Sequence, residues 1–147
     1  MRTLHDSVLD CIGLTPAVRL NRLAAGISGE VYAKLEALNP SGSLQDRIAV
    51  ALVDELEAAG RLKAGGTVVA STSGNTGAAL AMVAAVRGYK AVLVIGDKQS
   101  EEKRAILRAA GARVVICPSD VPADDPRGTH KTAERMAGEL PGAAFVD

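Results

Sequence analysis

The sequence predicts an α/β chain with three layers, α/β/α, around a doubly wound, mostly parallel sheet, and three observations lead there. Short β-branched or continuously apolar runs recur at 67–70, 91–95 and 113–117. Helical patterns of roughly ten to fifteen residues separate them, the signature of βαβ crossovers. Glycines stand where those helices should stop, at Gly60 and Gly111.

Residues 31–35 alternate enough to read as a first strand, with Gly29 as punctuation before it. The turn formers at 39–43 then lead into a helix over 46–59, whose apolar stripe is Ile48, Ala49, Leu52, Val53 and Leu56. Such a helix packs one face on a sheet and turns Asp54, Glu55 and Glu57 to water. The run at 67–70 is the next strand, and the helix over 76–86 is apolar nearly all round, which predicts burial. A strand at 91–95, a helix at 101–110 and a strand at 113–117 follow. The stretch 118–128 is polar, carries prolines and is too long for a simple connection. A last helix over 129–139 and a strand from 143 to 146 complete the reading.

Composition excludes several functions. Seventeen basic residues balance seventeen acidic ones, so nothing draws the chain to nucleic acid or to an anionic membrane. Tyr32, Tyr89 and Phe145 are the only aromatic residues, which leaves no platform for stacking bases and assigns the core to aliphatic side chains. Cys11, Cys117, His5 and His130 share no metal-ligand spacing. No metal is expected, and the two cysteines read as reduced thiols of a cytoplasmic protein. Neither the charged amino terminus nor any later run has the length of a membrane span.

The chemistry-bearing segments come in order. They are Ile12-Gly13-Leu14-Thr15-Pro16-Ala17-Val18-Arg19-Leu20, then Val31-Tyr32-Ala33-Lys34-Leu35-Glu36, then Asn39-Pro40-Ser41-Gly42-Ser43-Leu44-Gln45-Asp46-Arg47. Thr72-Ser73-Gly74-Asn75-Thr76-Gly77 and Ala84-Ala85-Val86-Arg87-Gly88-Tyr89 come next. Together they resemble the fold type II pyridoxal-phosphate enzymes, the cysteine synthase and cystathionine β-synthase family. The stretches 97–103 and 124–127 resemble the cystathionine β-synthase branch. In that family a lysine after Asn-Pro-Ser-Gly-Ser-x holds the cofactor as a Schiff base, and here Gln45 stands in its place. An amide nitrogen, delocalised into its carbonyl, is no nucleophile toward an aldehyde. Ala70-Ser71 likewise replaces the family's usual Glu-Pro. The resemblance also implies a second domain carrying the cofactor's phosphate loop and the residue facing its pyridine nitrogen, so the chain reads as truncated.

On this reading residues 39–147 form the family's small α/β domain, and residues 1–38 are a segment that would pack on the large one. The candidate ligand-binding residues are Thr72, Ser73, Gly74, Asn75, Thr76 and Gly77, between a strand and a helix at the carboxyl edge of the sheet, where free N–H groups and a helix dipole favour an anion. In the family this loop grips the substrate carboxylate, and its asparagine, matched by Asn75, lies beside the cofactor. The same residues could instead simply cap the helix. No catalytic residue and no bound cofactor are expected; Lys34, Lys63, Lys90, Lys98, Lys103 and Lys131 lie away from position 45 in sequence, and the charges at 97–104 read as a solvated helix entry. The expected role is binding: a small amino-acid or anion ligand, or association as a homodimer, with a full-length homologous enzyme or with another protein of sulfur amino-acid metabolism. The alternative is a β-replacement enzyme of the cysteine synthase or cystathionine β-synthase type, completed by a second chain.

Overall fold

The computed structural model describes residues 4–72 and 74–146. Its centre is a four-stranded sheet in which every pairing is parallel, built from β3 (Thr67–Ser71), β4 (Lys90–Gly96), β5 (Arg113–Cys117) and β6 (Ala143–Val146) in the order β5-β4-β3-β6. The chain steps from β3 to β4 to β5, then returns across the sheet to place β6 on the other side of β3. That reversal is what doubly wound means, and it makes the carboxyl end of β3 the switch point where ligands of such sheets bind.

Alternation along the strands separates two cores. Val68, Ala70, Leu93, Ile95, Ala144 and Val146 face one layer, made by α1 (Gln45–Ala58), α2 (Asn75–Arg87) and α3 (Glu101–Ala109). Val69, Val92, Val94 and Cys117 face the other, where α4 (Thr129–Glu139) supplies Ala133 and Met136. Strands covered on both faces must be apolar at consecutive positions, which is the pattern of 91–95.

Each helix obeys a local cause. In α1 the buried positions Ala49, Val53 and Leu56 follow helical spacing, and the chain leaves through Gly60 with φ +66°. Small residues crowd the buried face of α2, with Ala79, Leu80, Val83 and Ala84 enclosed, and they let α1 approach closely. Gly88, at φ +77°, ends α2 in the left-handed conformation while Tyr89 N donates to the Ala84 carbonyl. Ser100 caps α3 by accepting from Lys103 N.

Three expectations need correction. Ile48 is 45% exposed, because the face of α1 that meets α2 runs through Ala49, Val53 and Leu56. Val86 is exposed at the end of α2, beyond the reach of the sheet. Glu57 is not free in water: it accepts hydrogen bonds from Arg87 at 3.0 Å and from the Tyr89 hydroxyl at 2.7 Å.

Before the sheet unit lies an antiparallel ribbon of β1 (Ala17–Arg19) and β2 (Tyr32–Lys34). A 3-10 turn, Val8–Cys11, lays Leu9 against the main core. Among the described residues no helix is long and apolar enough to cross a membrane, and no group of His, Cys, Asp or Glu side chains could hold a metal ion. Cys11 and Cys117 are free thiols.

Candidate functional site

Position 45 is fixed by a polar scaffold that joins the ribbon to α1. Glu36 accepts from Thr15 Oγ1 at 2.6 Å, from Arg47 Nε at 2.8 Å and from Arg47 Nη2 at 2.9 Å. The Arg47 guanidinium, followed by the Thr15 hydroxyl, pulls the Glu36 carboxyl down to about 2. Asn39 is buried; its Nδ2 donates to Glu36 Oε2 at 2.8 Å, and its Oδ1 accepts from Gly13 N at 2.8 Å. Gly13 is required there: a Cβ would stand 2.6 Å from Arg47 Nη1, and its φ is +85°. Lys34 donates to the carbonyl and to the hydroxyl of Thr15. One turn on, the enclosed Asp46 carboxylate accepts from both the backbone N–H and the hydroxyl of Ser41, folding 41–46 into a tight entry to α1. Gln45 is the first residue of α1.

The loop after β3 is shaped by Thr72. Its hydroxyl accepts from Gly77 N at 2.9 Å and Gly74 N at 3.4 Å, so the capping role foreseen for Thr72 is present. Gly77 must lack a side chain, since a Cβ would meet Thr72 Cγ2 at 2.6 Å. Gly74 occupies the N-cap of α2 without a side-chain bond, and the first turn of α2 contains no acidic residue. Thr72 takes the N–H groups of Gly74 and Gly77, and no carboxylate of the first turn meets those of Asn75 and Thr76. Ser73 lies outside the described residues.

These two pieces meet. A cavity of about 240 Å³ is lined by Gln45, Gly74, Asn75, Thr76 and Lys103. Three of the six candidate binding positions, Gly74, Asn75 and Thr76, thus converge on Gln45, whereas Thr72 and Gly77 bond each other behind the loop. Lys103 is the residue that sequence reasoning missed. It stands on α3, bonds Gln99 Oε1 at 3.3 Å and lies 3.9 Å from where a Gly74 Cβ would be. Its spacing from Ser100, a helix start followed by a charged first turn, signalled only a solvated face. A second cavity of about 380 Å³ opens at the strand ends on the α4 side, between Ser71, Gly96, Gln99, Ser119 and Thr129, and the candidate residue Thr72 lines this one and not the first. It lies apart from Gln45 and Asn75.

Comparison with known proteins decides the family. Residues 8–147 match the family model described as pyridoxal-phosphate dependent enzyme. The chain belongs to that family. It is 42% identical over 146 residues to cystathionine beta-synthase of Apis mellifera, covering 98% of this chain and 29% of that enzyme. It is 40% identical over 139 residues to cysteine synthase B of Pseudomonas syringae pv. syringae, covering 95% of this chain and 80% of that sequence. Among solved structures, O-ureido-L-serine synthase superposes with a TM-score of 0.82 at 45% identity, over 92% of this chain and 42% of that one. A lysine-to-alanine variant of the same synthase, with O-ureido-L-serine bound, superposes with a TM-score of 0.81. The chain spans 25–29% of the length of the cystathionine beta-synthases it matches.

Pyridoxal phosphate, which the family's name implies, needs an amine for covalent attachment. The residue that opens α1 at the cavity is an amide. The amine that lines the cavity, Lys103, comes from α3 and donates to Gln99 Oε1 at 3.3 Å, so it does not stand at the position that opens α1. The residue at the start of α1 therefore does not fit a covalently held cofactor.

Proposed function

We propose that this chain is a non-catalytic member of the pyridoxal-phosphate dependent enzyme family that binds a small carboxylate at the start of α2. The observation that carries this reading is the cavity shared by Gln45, Gly74, Asn75, Thr76 and Lys103, which offers hydrogen-bond donors and a cation but an amide, not an amine, at the start of α1. The N–H groups of Asn75 and Thr76 at a helix start, unopposed by first-turn acid, can bond an anion that the helix dipole also favours. The variant of O-ureido-L-serine synthase that lacks one lysine yet holds O-ureido-L-serine supports binding without that lysine in this fold.

Acetate titrated into the chain, followed through backbone amide resonances, tests the reading. Shifts are expected at Gly74, Asn75, Thr76 and Gly77, and Asn75→Ala should weaken binding more than Glu102→Ala. Shifts confined to other regions would move the site elsewhere.

A second reading rests on the ribbon. Val18, Leu23, Ile27 and Tyr32 are all exposed there, and apolar surface of this kind favours association. The chain on this reading self-associates, as a homodimer in the commonest closed form, or docks on a full-length relative; a docked second chain could also complete a β-replacement enzyme. Sedimentation or light scattering at rising concentration separates a stable monomer from an assembly.

A further inference from the structure

The reading above leaves the kind of carboxylate open, and the side chains around Lys103 narrow it. Gln45, Gly74, Asn75, Thr76 and Lys103 line the cavity, and none of them is acidic. Among the described residues Lys103 pairs with no carboxylate, its bond being to the neutral amide of Gln99; Glu101, on the same helix, is taken by Arg104 at 3.2 Å and Arg108 at 2.7 Å. A ligand's carboxylate can therefore meet the Lys103 ammonium, but a ligand's ammonium would meet the same positive charge with no counter-ion beside it. Next to the cavity lies a smaller space of about 50 Å³, sharing Gly74, Asn75 and Lys103 and floored by Ala78, Ile106 and Leu107. Its apolar floor suits a short alkyl group.

We propose that the cavity takes a small 2-hydroxy or 2-oxo acid with a short alkyl side chain in preference to the zwitterionic amino acid of the same size, and that Lys103 sets this choice. The carboxylate lies against the Lys103 ammonium. The amides of Gln45 and Asn75 can each donate to a hydroxyl or oxo oxygen and accept from a hydroxyl, so either oxygen function is satisfied without charge. The alkyl group enters the space beside Ala78 and Leu107. This inference rests on the α2 loop being the binding site.

The test titrates L-lactate, pyruvate and L-alanine separately into the full chain at low ionic strength, where exposed charges are least screened, with amide resonances locating the site and their shifts giving each Kd. Lactate and alanine differ only in hydroxyl against ammonium. Lactate and pyruvate should bind roughly fivefold tighter than alanine. Lys103→Met should weaken lactate and bring the lactate-to-alanine ratio toward one, Lys103→Arg should retain the preference, and Lys131→Met, on α4, should change nothing. Circular dichroism checks that the variants fold. Alanine binding as tightly as lactate, or an unchanged ratio in Lys103→Met, overturns the proposed selectivity while the loop site stands. Absence of shifts at 74–77 with all three ligands overturns the loop site itself, and the selectivity with it.

Discussion

In the parallel sheet Val68, Val69, Leu93 and Val94 are fully enclosed, whereas in the β1–β2 ribbon Val18 and Tyr32 stay about half exposed. The sheet unit buries consecutive apolar residues between helical layers, so its stability is set by aliphatic packing. The ribbon instead depends on the Lys34–Thr15–Glu36–Arg47–Asn39 cluster, while Leu9 ties the preceding turn to the core. Thr15 and Asn39 in that cluster are buried, but the Lys34 and Arg47 side chains are about half exposed, so water competes for the ion pairs and they stabilise the ribbon less than packing stabilises the sheet. The cavity lies where the two regimes meet: Gln45 is positioned by the polar cluster, while Asn75, Thr76 and Lys103 ride on helices anchored in the core.

That contrast can be broken first from the core side. Leu80→Ala empties a fully enclosed position in α2 and should cost about 2–5 kcal/mol, with the whole sheet unit melting earlier in denaturant. A second test acts on the ribbon's surface. Leu23→Asp combined with Ile27→Asp should leave that unfolding midpoint nearly unchanged and shift any assembly toward monomer in light scattering, since both side chains are already exposed.

Acid sharpens the comparison further. The Glu36 carboxyl is lowered in the fold from 4.5 to about 2, so the unfolded chain takes up its proton first. Its contribution is complete above the unfolded value and is lost as pH falls through about 2. Asp125, paired with Arg127 at 2.8 Å, is also lowered to about 2 and behaves with the same sign. Amide exchange measured from about pH 5 down to about pH 2 should show protection falling in the ribbon and around 125–128 before it falls in β3 and β4. The smallest effect is expected from Arg47→Met. It should raise exchange at 13–36 while leaving the melting of the sheet close to that of the parent chain.

Much of this architecture was legible because the sheet's alternation is so regular. The strand over Arg113–Cys117 and the helix over Thr129–Glu139 fall at the positions their residue patterns indicated, bounded by Gly111 and Gly128. Strand order was less legible, since β6 pairs with β3 through contacts that no local pattern encodes. The loop from Thr72 to Gly77 announced itself by its hydroxyls and glycines. Lys103 did not, because a lysine in the first turn of a helix looks like any solvated charge until the turn from β3 to α2 is folded against it. The same holds for Asp46, which the pattern placed only at the start of the helix over 46–59 and which the fold encloses, accepting from Ser41.

The claim on which the rest depends is that no lysine of this chain serves as a cofactor anchor. The direct measurement mixes the purified protein with one equivalent of pyridoxal phosphate, reduces it with borohydride and maps the modified peptides by mass spectrometry. Reduction fixes any imine as a stable secondary amine on the lysine that formed it. Sparse labelling spread over several exposed lysines is the expected result, with none modified stoichiometrically and no β-replacement of serine or an activated serine before reduction. One lysine modified to completion, at Lys103 or anywhere else, would contradict the account and return the chain to the enzymes of its family.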